Sequence, residues 1–157
     1  MKNTKLTIIL LALAVSLPVV PAVSAAEEHE HKDGKAMIPD TVAGIWGEVK
    51  EHEEELGKAI AAKKLDGVHE IAFEIRDMVN ALPDKSKLDA DKMAKLKSNA
   101  KFVDALATRL DESGDAKDQA GTEANFKKLR GILKTIEALY PAAMLKDDMK
   151  DMPGMKK

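Results

Sequence analysis

The carboxyl-terminal end of the chain carries a cluster of methionines outside any apolar pattern. Thioether sulfur is a soft ligand that suits Cu(I) and Ag(I), and it has no proton to lose on binding, whereas Cys and His must be deprotonated. If this tail is helical, two of its sulfurs share a face, because their residues are three apart. The tail therefore predicts a copper or silver site, against the simpler interpretation of methionines that dock loosely on the protein. Four of the seven methionines that follow the initiator lie here: Met144, Met149, Met152 and Met155.

A second group of possible ligands lies near the amino terminus, where histidines alternate with acidic residues. His29 and His31 are flanked by glutamates, and imidazole and carboxylate groups together ligate Cu(II), Zn or Ni. Met37 follows a few residues later, where this arm and the tail could meet. The alternative is a solvated polar arm without a bound ion.

The two remaining histidines are spaced so that they cannot share an ion. On the predicted helices His52 lies about 13 residues before the first turn and His69 about 3 after it, so their heights differ by roughly 15 Å. His69 follows Asp66 at the start of a helix, and we interpret it as a structural contact rather than a ligand.

The residue inventory argues against the familiar cofactors of helical bundles. A di-iron centre needs repeated Glu-x-x-His sequences, and the segment from Asp66 to His69 is the only near match. The chain has no cysteine, which excludes c-type haem attachment and a disulfide framework. The third and fourth predicted helices contain no histidine, so we expect no haem. We find no nucleophile with a base and no phosphate-binding loop, and we do not expect an enzyme.

The first 25 residues have the plan of a secretory signal peptide. A basic start is followed by an apolar stretch over residues 6–15 and by small residues up to Ala25. The stretch is too short and too interrupted by proline to span a membrane. We expect a soluble periplasmic chain without membrane insertion. Loss of Lys2 and Lys5 takes the formal charge from −2 to about −4, which argues against nucleic-acid binding.

The rest of the chain predicts an all-α protein, an antiparallel up-down-up-down four-helix bundle over residues 39–141. Apolar residues recur at helical spacing in four stretches, and aromatic residues make up only 3% of the chain. Residues 111–115 read as a loop. We expect helices from Val42 to about Lys64 with Asp40 or Thr41 as N-cap, from the N-cap Asp66 to Pro83, from the N-cap Asp89 to Leu110, and from between residues 116 and 122 to Pro141.

This topology has a consequence for the candidate ligands. The first helix begins, and the fourth ends, at the same end of the predicted bundle. The flexible arm (residues 26–38) and the methionine-rich tail (residues 142–157) should therefore emerge close together. Two ligand sets that are far apart in sequence could form one site.

The overall plan resembles exported cytochrome b562-like four-helix bundles, here without a haem ligand pair. The stretches Leu65-Asp-Gly-Val-His-Glu-Ile-Ala-Phe-Glu-Ile-Arg-Asp77 and Asn125-Phe-Lys-Lys-Leu129 through Tyr140-Pro141 are also similar to small periplasmic proteins associated with heavy-metal efflux. The resemblance spans residues 45–141 and implies metal handling. It transfers no ligand residue, because the candidate ligands lie mostly outside it.

These observations predict a periplasmic protein that buffers or transfers Cu(I) or Ag(I), serving heavy-metal efflux or resistance. Its expected partners are the metal ion and a periplasmic efflux or envelope protein. Two alternatives stay open: a non-metal interaction module that docks a transporter or envelope partner, and a haem or small-molecule carrier of the cytochrome b562-like type.

Overall fold

The structure is a computed structural model that describes residues 37–145. Over this range the chain is helical and has no strand. Each helix packs against its neighbours in the chain, and the fourth returns to the first. The predicted four-helix bundle is therefore confirmed. Its elements are α1 (Val42–Ala61), α2 (Val68–Lys85), α3 (Ala90–Asp115) and α4 (Gln119–Glu137), followed by a 3-10 helix, η1 (Ala142–Met144).

Side chains cap three of the four α-helices. Each accepts a hydrogen bond from a first-turn N–H that has no partner within its helix. α2 begins instead after Gly67, which offers no side chain, so the predicted cap Asp66 is wrong. The carboxylate of Asp66 pairs with Lys117 in the α3–α4 connection. The three capping bonds measure 2.9 to 3.0 Å and run from Gly44 to Thr41, from Lys92 to Asp89 and from Gly121 to Asp118.

The carboxyl ends of all four α-helices differ from the sequence prediction. α2 continues through Pro83, its predicted end, to Lys85, and α4 ends at Glu137 rather than at Pro141. α1 ends at Ala61, and Lys63 then takes a positive φ of 58° that ends the helical path. α3 continues through the predicted loop to Asp115. Gly114 makes this possible, because a Cβ there would lie 3.2 Å from the carbonyl oxygen of Leu65. The close approach lets the last turns of α3 pack against the α1–α2 connection.

The core consists almost entirely of aliphatic side chains from the predicted stripes. Burial of one such side chain contributes roughly 1.5–3 kcal/mol, and the stripes of all four helices meet. Met78, on α2, is the methionine of the core and is 2% exposed. No helix within residues 37–145 combines the length and apolarity needed to cross a membrane. The bulkiest fully buried residues are Ile45, Leu56, Ile75, Leu82, Leu96, Leu110, Leu129, Leu133 and Ile136.

The bundle has two ends of different character. At the terminal end, defined by the start of α1 and the end of α4, Ser86 Oγ lies 2.7 Å from the hydroxyl of Tyr140. At the loop end, defined by the α1–α2 and α3–α4 connections, Gln119 Nε2 donates to the carbonyl of Ile60 at 2.9 Å.

Candidate metal-binding sites

Only two of the predicted ligands lie within the described residues, and both lie at the terminal end. Met37 precedes α1 and is 93% exposed, while Met144 closes η1 and is 37% exposed. Their common location follows from contacts of the neighbouring residues. Asp40 pairs with Lys85 at 3.0 Å, and the next residue of α2's end, Ser86, contacts Tyr140. Residues outside the described range are His29, His31, Met149, Met152 and Met155.

The α1–α4 pairing fixes the terminal end. Lys50 Nζ lies 2.6 Å from Glu137 Oε1, and Arg130 Nε donates to Glu53 Oε1 at 2.8 Å. The pair farther along α1, at Glu53, uses the earlier residue of α4, Arg130. The two helices are therefore antiparallel. The start of α1 is thus level with the segment that follows α4.

Tyr140 is buried at the terminal end of the core. Its ring meets that of Trp46 in an edge-to-face contact, with centroids 6.3 Å apart. Burial raises the pKa of the Tyr140 hydroxyl, and the hydrogen bond with Ser86 opposes part of that rise. The Trp46–Tyr140 ring contact and the Ser86–Tyr140 hydrogen bond therefore lie where the chain enters and leaves the bundle.

A cleft of about 790 Å³ lies between α1 and α2. His52 Nδ1 is shielded from solvent and has no hydrogen-bond partner within the described residues; it lies 3.4 Å from Glu74 Oε2. Imidazole, carboxylate and thioether groups thus border one space. The sequence pattern alone does not place His52 beside Met37. The cleft is lined by Met37, Ile38, Pro39, Asp40, Glu48, His52, Glu74 and Met78.

A glycine allows the segment before α1 to cover this cleft. A Cβ on Gly44 would lie 2.9 Å from Pro39 Cβ and 3.1 Å from Thr41 Oγ1. Contacts below 3.0 Å are not tolerated in packed proteins without displacement. Gly44 therefore lets Pro39 lie against the first turn of α1, and this positions Met37 at the cleft.

The loop end carries a second cluster, which the sequence prediction missed. One ligand atom each from His69, Asp111 and Asp115 lies within 4.8 Å of the others. His69 and Asp111 are partly buried, and Asp115 is exposed. The sequence reading treated His69 as structural and residues 111–115 as a loop. The signal that could have found the cluster is the antiparallel pairing of α2 and α3, which sets the start of one helix beside the end of the other.

The charge at the end of α3 distinguishes it from the other helices. The carbonyl end of a helix carries a partial negative charge that cations stabilise. The last turns of α1, α2 and α4 contain Lys58, Lys85 and Lys134, whereas that of α3 contains no basic residue. Lys117 follows the helix, but it bonds Asp66 and holds the pKa of that carboxyl below its usual range.

Comparison with known proteins identifies no relative of this chain. No family model, curated protein or solved structure matches the chain.

Proposed function

We propose that this protein binds a soft monovalent metal ion, Cu(I) or Ag(I), in the periplasm and buffers it or passes it to an efflux or envelope partner. The observation that carries the proposal is the shared location of Met37 and Met144 at the terminal end. Chain connectivity continues from these two residues into the histidine arm and the methionine tail. Ligands from opposite ends of the sequence can therefore approach one ion.

The chemistry of the exposed methionines supports this assignment. The buried Met78 fills core space, whereas Met37 is 93% exposed. A thioether in that position is accessible to an ion, and soft ions prefer it to oxygen ligands. Thioethers do not form disulfides, so they persist in an oxidising compartment.

The bundle supports such a site by holding its two attachment points together. Trp46 and Tyr140 contact each other across the α1–α4 interface, and Asp40 is linked to Lys85. The ordering cost of bringing two chain ends together is therefore met by folding rather than by metal binding. The cleft beside Met37 adds the imidazole of His52 as a nitrogen ligand within reach.

A Cu(I) competition titration tests the proposal on the mature chain. Replacement of Met149, Met152 and Met155 by Leu keeps the tail apolar but removes three sulfurs, and it should weaken Cu(I) binding at least tenfold. Met93→Leu is the matched control, because Met93 is partly buried against the core and should leave the affinity unchanged. Equal affinity in the triple variant and the unmodified protein would show that the tail does not bind the ion.

A further inference from the structure

We propose that His69, Asp111 and Asp115 form a divalent-cation site at the loop end, with Zn²⁺ as the appropriate probe. This site is separate from the methionine ligands in both position and chemistry. Imidazole nitrogen and carboxylate oxygen suit Zn²⁺ and similar divalent ions, whereas thioether sulfur suits Cu(I). The inference does not depend on the proposed function.

The distances fit a site that closes by small side-chain rotations. A tetrahedral Zn²⁺ with ligands about 2.1 Å away separates its donor atoms by about 3.4 Å. The three donors already lie within 4.8 Å of one another. Asp115 is the exposed member. Three protein ligands leave the fourth position to water, as in zinc sites that keep an open position.

The backbone holds the three residues in place. Asp111 and Asp115 are four residues apart on α3 and therefore project from the same face. Gly114, between them, is buried, and its Cα region packs against Leu65 and Val68. Val68 immediately precedes His69, so the packing that fixes the end of α3 also fixes the start of α2. The cluster therefore rests on two helices whose relative position is set by close contact.

The local charge favours a cation at this position. Two carboxylates lie at the carbonyl end of α3, the one α-helix here without a basic residue in its last turn. A bound divalent ion would neutralise the two aspartates and the helix terminus together. It would also link α2 to α3, so binding should stabilise the folded state.

The test is a Zn²⁺ titration of the full mature chain, monitored by calorimetry and by thermal unfolding. Asp111→Asn keeps the shape of the side chain and should weaken the binding of one Zn²⁺ equivalent at least tenfold. His69→Ala should abolish the binding of that equivalent. Both variants should also lose the rise in Tm that Zn²⁺ gives the unmodified protein. Asp104→Asn is the matched control, since it neutralises an exposed aspartate of α3 outside the cluster and should retain that equivalent.

Amide chemical shifts locate the ion independently of stability. Zn²⁺ should shift the resonances of residues 66–69 and 111–117 in the unmodified protein and in the chain with leucine in place of the tail methionines. Shifts confined to the histidine arm would overturn the proposal. An unchanged number of Zn²⁺ equivalents in both cluster variants would do the same. Because Cu(I) affinity is measured on the tail variant and Zn²⁺ affinity on the cluster variants, either proposal can fail without the other.

Discussion

Trp46 and Tyr140 lie edge to face, with ring centroids 6.3 Å apart and planes inclined by 73°. They are the single tryptophan and the single tyrosine of the chain. Both optical probes therefore report on the terminal end of the bundle. No described residue pairs with the buried indole nitrogen of Trp46, while the hydroxyl of Tyr140 bonds Ser86.

The titration of Tyr140 can be followed directly by tyrosinate absorption. Burial raises its pKa, so the hydroxyl should ionise above the ordinary value of about 10. A raised folded-state pKa contributes stability that is fully present below about pH 10 and is lost as the pH rises through the folded pKa. Ser86→Ala removes the bond that lowers the pKa and should shift the transition further upward. The denatured chain is the reference, and a downward shift in Ser86→Ala would contradict this account.

The fluorescence of Trp46 should separate the two proposed sites. Ag(I) bound at the terminal end should change the emission, because the ion would lie near the aromatic pair. Zn²⁺ bound at the loop end should not, because Trp46 lies about 15 residues, or roughly 22 Å, from the end of α1. His69→Ala should keep the Ag(I) response. An emission change with Zn²⁺ that survives in this variant would assign Zn²⁺ to another location.

Two glycine substitutions should have opposite effects on stability. Gly131→Ala on α4 meets nothing within 4 Å and should raise the free energy of unfolding by about 0.5–1 kcal/mol, because Ala is the better helix former. Gly114→Ala should lower it by about 1 kcal/mol or more, because the new Cβ presses on Leu65 and Val68. Urea denaturation measures both. Equal stabilisation by the two changes would show that the end of α3 has room for a side chain.

The N-cap of α1 should be worth about 1 kcal/mol. Thr41→Ala removes the acceptor for the N–H of Gly44 and should lower the free energy of unfolding by that amount, while Thr41→Ser should retain most of it. Thr135→Ala is the control, because the hydroxyl of Thr135 donates to Gly131 O within α4 and caps no terminus. A loss in Thr135→Ala as large as that in Thr41→Ala would argue against a specific capping role.

The sequence predicts what depends on local periodicity. The four stripes locate the helices. Asp89 is predicted as a cap because it precedes its stripe, and of the two candidates before the first stripe, Asp40 and Thr41, the structure selects Thr41. Residues 111–115 were assigned to a loop because Asp, Ser and Gly favour turns. Packing of Gly114 against Leu65 overrides that preference. Tertiary contact thus decides where α3 ends.

The loop-end cluster could not be found by spacing along the chain. His69 and Asp111 come together because α2 and α3 pair in one register, which depends on how their side chains interlock. The same applies to His52 and Glu74, which meet across α1 and α2. The methionine tail was visible from composition alone, and its ligand role stays a prediction.

The contact between α1 and α4 joins the helices farthest apart in sequence and is less extensive than the contacts between α-helices that follow one another in the chain. Its links include the Lys50–Glu137 and Arg130–Glu53 ion pairs, which added salt weakens. Loop-closure entropy makes such a long-range contact slow to form. We therefore expect this interface to close last in folding and to open first in hydrogen exchange.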